Sequence, residues 1–217
     1  MRVLVACEFS GMVRDAFRKR GHDAWSCDLL PTDDDSPYHH QGDVRNFLGP
    51  MLHRCNCCPR DSIMIHHELA PWDLMIAHPP CTYLCSSGLH WNKKDPTRQK
   101  KTEEALDFVR ELLNAPIRQL ALENPIGCIS TRIRKPDQII QPHWFGHDAS
   151  KSTCLWLKNL PLLQGTKQIE PRLVNGRERW GNQTDSGQNR LGPSEHRGAI
   201  RSITYQGIAA AMAEQWG

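Results

Sequence analysis

The chain has 217 residues, nine of them cysteines, and a formal net charge of +3 at pH 7. Its length suits one domain, or one domain with a small appendage, and no run approaches the roughly 18 apolar residues of a membrane span. The N-terminus carries no signal-peptide pattern, and an odd number of cysteines cannot all pair. We therefore expect reduced thiols, a cytoplasmic location and no membrane partner.

The N-terminal residues predict a β-α-β unit. Residues 2–6 form an apolar strand pattern, residues 12–20 carry apolar side chains at helical spacing, and residues 22–27 form a second strand pattern. Gly11 stands at the strand-to-helix turn, where a ligand can approach the backbone, and Asp28 stands where an acid can bond ribose hydroxyls. Because the full Gly-x-Gly-x-x-Gly pattern is absent, a dinucleotide cofactor is not favoured.

Two features follow this unit. Residues 39–44 predict a short strand, after which Asp43 could accept a hydrogen bond from a nucleobase amino group or cap a following helix. Residues 49–71 break the pattern and are interpreted as an inserted loop. They hold several candidate zinc ligands, namely His53, Cys55, Cys57, Cys58, His66 and His67. Cys-x-Cys-Cys is not a typical ligand spacing, so a loop without metal is favoured over a zinc site.

The most informative stretch is residues 72–85, where a buried strand pattern ends at two prolines. His78, Pro79, Pro80 and Cys81 follow the strand directly. In an open α/β sheet, ligands bind beyond the carboxyl ends of the strands, so Cys81 is a candidate nucleophile on a rigid loop. The alternative is that Cys81 is a small buried apolar residue, as most free cysteines are.

A second predicted strand also ends at polar residues that are followed by a proline. Residues 97–114 predict a helix, and residues 117–122 predict a buried strand that ends at Glu123 and Asn124 before a proline. Since the ends of neighbouring parallel strands meet at one edge, Cys81 and Glu123 should face the same crevice. A thiol beside a carboxylate indicates chemistry rather than packing. Cys85, four residues after Cys81, is interpreted as a packing residue.

The C-terminal third is less regular. Residues 138–141 and 153–157 are predicted strands, and residues 161–203 are basic, rich in Gly, Asn and Gln, and interpreted as a small irregular segment. Residues 204–217 predict a helix that returns to a main domain formed by residues 1–160. Basic clusters, one of them directly after Cys81, favour a polyanion such as nucleic acid, although a solvated face is the alternative for each cluster.

The motifs, in the order in which they occur along the chain, resemble those of the C5-cytosine DNA methyltransferases, and most closely those of small phage-type members. Pro80-Cys81 resembles the motif that carries the nucleophile, and Glu123-Asn124 resembles the pair that binds the cytosine edge. The other matching motifs are Phe9-Ser-Gly11 for the cofactor, Gly42-Asp43-Val44 for its adenine, residues 145–157 for an Arg-x-Arg loop and strand, and Gln206-Gly207 for a C-terminal return to the cofactor.

The sequence departs from that family in four places. Val13 and Arg14 replace the later glycines of the first motif, and Thr82 replaces the glutamine after Pro-Cys. Lys151 and Thr153 stand at the two positions of the Arg-x-Arg pair. Only about forty residues, 161–201, could serve as a target-recognition region.

The resemblance implies an α/β fold of the Rossmann-like methyltransferase type, with a mostly parallel twisted sheet and helices on both faces. It implies methyl transfer from S-adenosylmethionine to C5 of cytosine in DNA through a covalent adduct, in a bacterium or a phage-infected host cell. The DNA would be either a duplex whose target base is flipped out or a single strand. No metal is expected.

The resemblance also assigns roles to residues. The catalytic residues would be Cys81, Glu123, Lys151, Pro80 and Asn124. The cofactor would contact Phe9, Ser10, Gly11, Asp28, Asp43, Val44, His78, Pro79 and Gln206. DNA would contact Ser86, Lys93, Lys94, Arg132, Arg134, Thr153, Arg177 and Arg179.

Three other interpretations stay open at this point. Amino-methyltransferases use a related Pro-Pro loop, which His78-Pro-Pro-Cys81 resembles superficially, and they would modify a cytosine amino group. A transferase acting on free cytidine nucleotides would need no recognition region. A catalytically silent DNA-binding homologue could keep the fold without the reaction.

Overall fold

The computed structural model describes residues 1–49, 72–195 and 197–217. The strands are β1 (Arg2–Ala6), β2 (Asp23–Asp28), β3 (His39–Gln41), β4 (Leu74–Ala77), β5 (Gln119–Pro125), β6 (Gln138–Ile140), β7 (Thr153–Lys158), β8 (Arg172–Val174) and β9 (Arg177–Arg179). The α-helices are α1 (Met12–Lys19), α2 (Ser86–Leu89), α3 (Pro96–Leu113), α4 (Ile129–Arg132), α5 (Arg197–Ser202) and α6 (Gln206–Trp216).

Seven strands form one sheet in the order β3-β2-β1-β4-β5-β7-β6. The first five in this order are parallel, whereas β7 runs antiparallel to β5 and β6 antiparallel to β7. Strands β1, β4 and β5 are adjacent at the centre, as the sequence predicts. A mostly parallel sheet with helices on both faces is the predicted architecture, so the predicted α/β fold class is confirmed.

The central strands are apolar on both sides because helices cover both faces of the sheet. On one face, Met75 and Leu122 pack with Leu106 and Val109 of α3. On the other face, residues such as Ile76 pack with the apolar side chains of α1 and α6. Side chains alternate between the two faces along each strand, and the same alternation applies to His78 after β4 and to Glu123 near the end of β5.

Local signals fix the ends of the elements that surround the site. Asp95 accepts backbone hydrogen bonds from Thr97 and Arg98 at the start of α3, and Pro96 takes the first helical position, which needs no amide donor. Gly11 adopts φ 70° before α1, a left-handed conformation that costs glycine little. The chain therefore turns sharply between β1 and α1.

The basic segment 161–203 contains the two-stranded sheet β8-β9 and helix α5, and its Leu163 is buried in the core beside α6. The predicted inserted loop with its candidate zinc ligands lies outside the described residues, apart from Gly49. Among the residues that are described, no helix is both long and apolar enough to cross a membrane.

Candidate active site

His78 and Glu123 stand side by side where β4 and β5 end. The two strands are parallel with Ala77 opposite Leu122, so the next residues of both strands are neighbours. Alternation directs both side chains to the same face of the sheet. Nδ1 of His78 lies 2.9 Å from Oε2 of Glu123, and the two side chains are only 7% and 11% exposed. A buried imidazole–carboxylate pair therefore lies at the carboxyl ends of the two central strands.

The loop that carries Cys81 is anchored at both ends. The side-chain amide of Asn124 donates to the carbonyl of Pro79 at 2.7 Å in a buried position. Beyond Cys81 the chain makes a helical turn, in which the amide of Cys85 donates to the carbonyl of Cys81 at 3.0 Å. Gly127 packs so closely against this turn that a Cβ there would lie 1.9 Å from the carbonyl oxygen of Leu84. The position of Cys81 is thus held by two neighbouring segments.

Cys81, Cys85, Glu123 and Lys151 are electrostatically coupled, which brings together four residues from three segments. A hydrogen bond with the Cys85 thiol, then burial, and then the charge of Glu123 raise the pKa of Cys81, while Lys151 opposes them. The same hydrogen bond, supported by the Ser87 hydroxyl at 3.2 Å, lowers the pKa of Cys85 to about 5. The interaction between the two thiols thus favours the neutral form of Cys81 and the charged form of Cys85.

Glu123 is held in its charged form despite its burial. Burial alone raises the pKa of this carboxyl, but the hydrogen bond from His78 and the charge of Lys151 outweigh it and bring the pKa below its usual range. The ammonium of Lys151 donates to the carbonyl of Arg201 at 2.8 Å, at the C-terminal end of α5. Lys151 is therefore positioned by the basic segment while it acts on the crevice.

A cavity of about 510 Å³ lies next to the Cys81 loop. Five of the predicted site residues line it, namely Asp28, Asp43, Val44, Pro79 and Pro80. Residues that the sequence did not single out also line it, among them Cys7, Leu29, Tyr83, Lys101 and Phe108. The volume lies within the roughly 300–1,000 Å³ of small-molecule sites, and apolar walls with a few acids suit a nucleoside-containing cofactor. The residues present thus fit S-adenosylmethionine.

Asp43 has a structural role as well as a place in this cavity. Its carboxylate accepts a hydrogen bond of 2.9 Å from the amide of Arg45 and pairs with the Arg45 guanidinium at 3.2 Å. These bonds lower the pKa of Asp43, and the bond from the Arg45 amide has the largest effect. Both interpretations made from the sequence, the cap and the cavity residue, are therefore compatible with its position.

The first motif is arranged differently from the predicted cofactor cradle. Phe9, Ser10 and Gly11 are not among the residues that line the cavity. The fully buried guanidinium of Arg14 covers Gly11, where a Cβ would lie 2.2 Å from one of its nitrogens. It also pairs with Asp34 and Asp15.

Glu8, just before the motif, binds the start of α1. Its carboxylate accepts bonds from the amides of Val13 at 2.6 Å and Arg14 at 3.2 Å. Burial, the largest influence, raises the pKa of this carboxyl. Glu8 and the buried Arg14 thus occupy the turn that the sequence assigned to the cofactor.

Two other residues assigned to the cofactor have different surroundings. The imidazole of His78 bonds Glu123, and His78 is not among the residues that line the cavity. Gln206 is exposed at the start of α6. The amide of Gly207 next to it donates to Nε2 of His147 at 2.8 Å, and a Cβ on Gly207 would lie 1.9 Å from the carbonyl oxygen of Phe145. This motif therefore fastens α6 to the loop before Lys151.

The predicted DNA contacts fall into two groups. Ser86, Lys93, Lys94 and Arg177 are exposed. The others have partners within the chain: Arg132 pairs with Glu103, Arg134 with Asp137, the Arg179 guanidinium donates to the carbonyl of Asp185, and the buried Thr153 hydroxyl donates to the carbonyl of Lys151.

Sequence reasoning identified the basic cluster after Cys81 but missed the aromatic rings that contact it, next to the cavity. Tyr83 lies under Arg98 at 4.9 Å and Lys101 at 5.6 Å, and the exposed Trp91 lies under Lys94 at 5.1 Å. Tyr83 follows Cys81 by two residues, and the charges recur at helical spacing from Lys94 onward. That spacing was the available signal, because it places the charges on one side of α3.

No cluster of three or more possible metal ligands occurs in the part of the chain that the structure describes. No protein-family model matches the chain, and no curated protein matches it significantly. Among solved structures, it is similar to a proposed DNA modification methyltransferase encoded within an E. coli prophage, with 15% sequence identity and a TM-score of 0.42. The similarity covers 81% of this chain and 53% of that one, so this chain spans about half the length of its neighbour.

Proposed function

We propose that the protein transfers a methyl group from S-adenosylmethionine to C5 of cytosine in DNA, with Cys81 as the attacking thiolate. The observation that carries this proposal is that Cys81, Glu123 and Lys151 lie close enough for their charges to interact, next to a cavity of about 510 Å³ that is lined by Pro79 and Pro80. A nucleophile, a carboxylate and a cation at the carboxyl edge of a parallel sheet are the parts that covalent activation of a pyrimidine requires.

Cytosine C5 is a weak nucleophile until a thiolate adds to C6. Cys81 forms the C6–S bond, the electron pair of the C5–C6 double bond moves into the ring, and N3 takes up the proton that the thiol gave up. The carboxylate of Glu123 binds N3–H and the exocyclic amine, which stabilises the protonated ring. S-adenosylmethionine, when bound, supplies the methyl group to C5. Solvent then takes the C5 proton, the C5–C6 double bond re-forms as the C6–S bond breaks, and the N3 proton returns to the Cys81 thiolate.

The Cys81 thiol has to give up its proton as it adds to C6. Its hydrogen bond with Cys85 favours the neutral Cys81 thiol, because that bond raises the pKa of Cys81 and lowers the pKa of Cys85. Lys151 favours loss of the proton, because its charge lowers the pKa of Cys81.

The neighbouring cavity accounts for the cofactor. Asp28, at the end of β2, suits the ribose hydroxyls, and Asp43 with Val44 suits the adenine. The exposed Lys93 and Lys94 suit DNA phosphates, which supply affinity without sequence information. A base inside a duplex hides C6, so the target base is either flipped out or already unpaired.

Covalent trapping tests the proposal. DNA containing 5-fluorocytosine is incubated with the protein and S-adenosylmethionine, and a denaturing gel separates free from DNA-linked protein. Fluorine cannot leave C5 as a proton does, so we expect the adduct to persist. Cys81→Ala should abolish both adduct and product, whereas Cys85→Ala is the matched control and should still form the adduct.

Nucleoside analysis of methylated DNA separates the alternatives. The proposal predicts 5-methylcytosine. N4-methylcytosine without an adduct would indicate an amino-methyltransferase, and neither adduct nor product would indicate a silent DNA-binding protein or a nucleotide-specific enzyme. Any of these results, or methylation that survives in Cys81→Ala, would overturn the proposal.

A further inference from the structure

His78 lies between two buried carboxylates at the ends of the three central strands. Its amide donates to the carbonyl of Ala6 at 2.9 Å, which aligns it with the residues after β1. Glu123 lies on one side, bonded to Nδ1. Glu8 lies close enough to interact electrostatically with His78, although burial is the larger influence on the pKa of Glu8. The imidazole is therefore held in a fixed electrostatic setting that packing alone does not require.

The hydrogen bonds around His78 indicate which nitrogen carries the proton. Nε2 is buried and has no hydrogen-bond partner in the described part of the chain, and both oxygens of Glu8 already accept amides of α1. An orphaned buried N–H is rarer in proteins than an acceptor without a partner. Nδ1, which faces a carboxylate, is therefore the protonated nitrogen, and it donates to Oε2 of Glu123.

We propose that His78 is the positioning residue of Glu123, and that its Nδ1–H holds Oε2 so that the carboxylate plane faces the base bound at Cys81. This inference rests on the proposed function, because it assigns Glu123 to the edge of the base. A carboxylate rotates easily about its last bond, whereas recognition of two adjacent ring positions requires one orientation. Fixing that orientation before binding removes an entropic cost from the reaction.

The same hydrogen bond keeps Glu123 ionised. Without it, burial would prevail over the charge of Lys151 and raise the pKa of the carboxyl. Since the reaction uses the carboxylate, activity falls as pH decreases through that pKa. Loss of the His78 donor should therefore move the acidic limb of the pH–activity profile to higher pH. The other titratable groups facing the pair, Glu8, Cys81 and Lys151, remain in place.

Three substitutions of His78 distinguish a role in positioning Glu123 from a role in packing. Asparagine places an amide donor where Nδ1 lies, glutamine places one near Nε2, and phenylalanine fills the space without a donor. We expect His78→Phe to lower kcat by about 10- to 100-fold, as loss of an orienting partner typically does. The KM for S-adenosylmethionine should stay unchanged, and the acidic limb should move upward. His78→Asn should recover more activity than His78→Gln.

A second buried histidine supplies the matched control. His143 bonds the carbonyl of Ala149 at 3.2 Å and stacks on Trp180, away from Glu123. His143→Phe should leave the acidic limb where it is in the wild type. If His78→Phe and His78→Asn lose activity equally, or if the limb stays in place in His78→Phe, His78 is a packing residue and the inference is wrong.

A measurement without catalysis keeps the inference distinct from the proposed function. In ¹⁵N-labelled protein, the imidazole resonances of His78, assigned by their loss in His78→Asn, should show a proton on Nδ1, and Glu123→Ala should shift them. A proton on Nε2 alone would refute the inference even if 5-fluorocytosine traps the protein. Conversely, failure of trapping with the proton on Nδ1 would refute the proposed function and leave the pairing intact.

Discussion

Replacement of Arg14 should reveal how much the turn after β1 depends on one buried guanidinium. Its side chain is fully buried, pairs with Asp15 and Asp34, and donates to the hydroxyl of Ser26 at 3.1 Å. Removing one partner of a buried ion pair costs about 3–5 kcal/mol. The carboxylates of Asp15 and Asp34 are 45% and 37% exposed, so water can solvate them in the variant. We therefore expect Arg14→Ala to lower the free energy of unfolding by about 2–4 kcal/mol.

Urea denaturation followed by circular dichroism measures this loss as a change in midpoint at constant slope. Lys19→Ala, at an exposed position of the same helix, is the control and should change stability by less than about 0.5 kcal/mol. Arg14→Lys keeps a positive charge but loses the planar guanidinium, so its loss of stability should lie between those of Arg14→Ala and Lys19→Ala. A loss below about 1 kcal/mol in Arg14→Ala would mean that burial of this arginine contributes little to the turn, contrary to the ion-pair reasoning.

Three further predictions concern the site. Gly127→Ala should displace the Cys81 turn and reduce trapping. Gly192→Ala is the control and should not reduce it, because a Cβ at Gly192 has no neighbouring atom within 4 Å. Equal trapping in both variants would refute the close contact at Gly127. Asp43→Ala should weaken cofactor binding by about 1–3 kcal/mol in calorimetry, and unchanged affinity would leave Asp43 as a cap only. In the wild type, the alkylation rate of Cys85 should not change with pH above about pH 6, because the bond with Cys81 lowers the pKa of Cys85. In Cys81→Ala that bond is lost, so the rate should rise with pH near pH 8–9. A rate that rises near pH 8–9 in the wild type as well would contradict the pairing.

The sequence predicts the centre of the fold because its signals there are local. Prolines mark the two strand ends, with Pro79 shortly after β4 and Pro125 as the last residue of β5, and apolar runs identify both strands as buried. Once the strands are parallel neighbours, the register places His78 beside Glu123, and Cys81 follows three residues later on the same loop. The helix limits differ from the predicted ones by one or two residues, as in α3, which begins at Pro96 rather than Thr97.

The contacts that sequence reasoning missed depend on loops distant along the chain. The Arg14–Asp34 pair joins positions twenty residues apart, and the bond from Lys151 to the carbonyl of Arg201 spans fifty. A hydrophobic pattern indicates which residues are buried, but it does not indicate which polar partner each will meet. The resemblance assigns His78 to the cofactor, and nothing in the sequence indicates that its imidazole is bonded to Glu123.

The attachment of α6 makes a helix far along the chain a condition for the packing of the first elements. α6 packs its apolar side chains, including Met212 and Trp216, with those of α1 and the N-terminal strands, while Gly207 fastens the loop before Lys151. During synthesis, β1 and α1 leave the ribosome long before α6 exists. We therefore expect one face of the N-terminal β-α-β unit to stay uncovered in the nascent chain until α6 has been made.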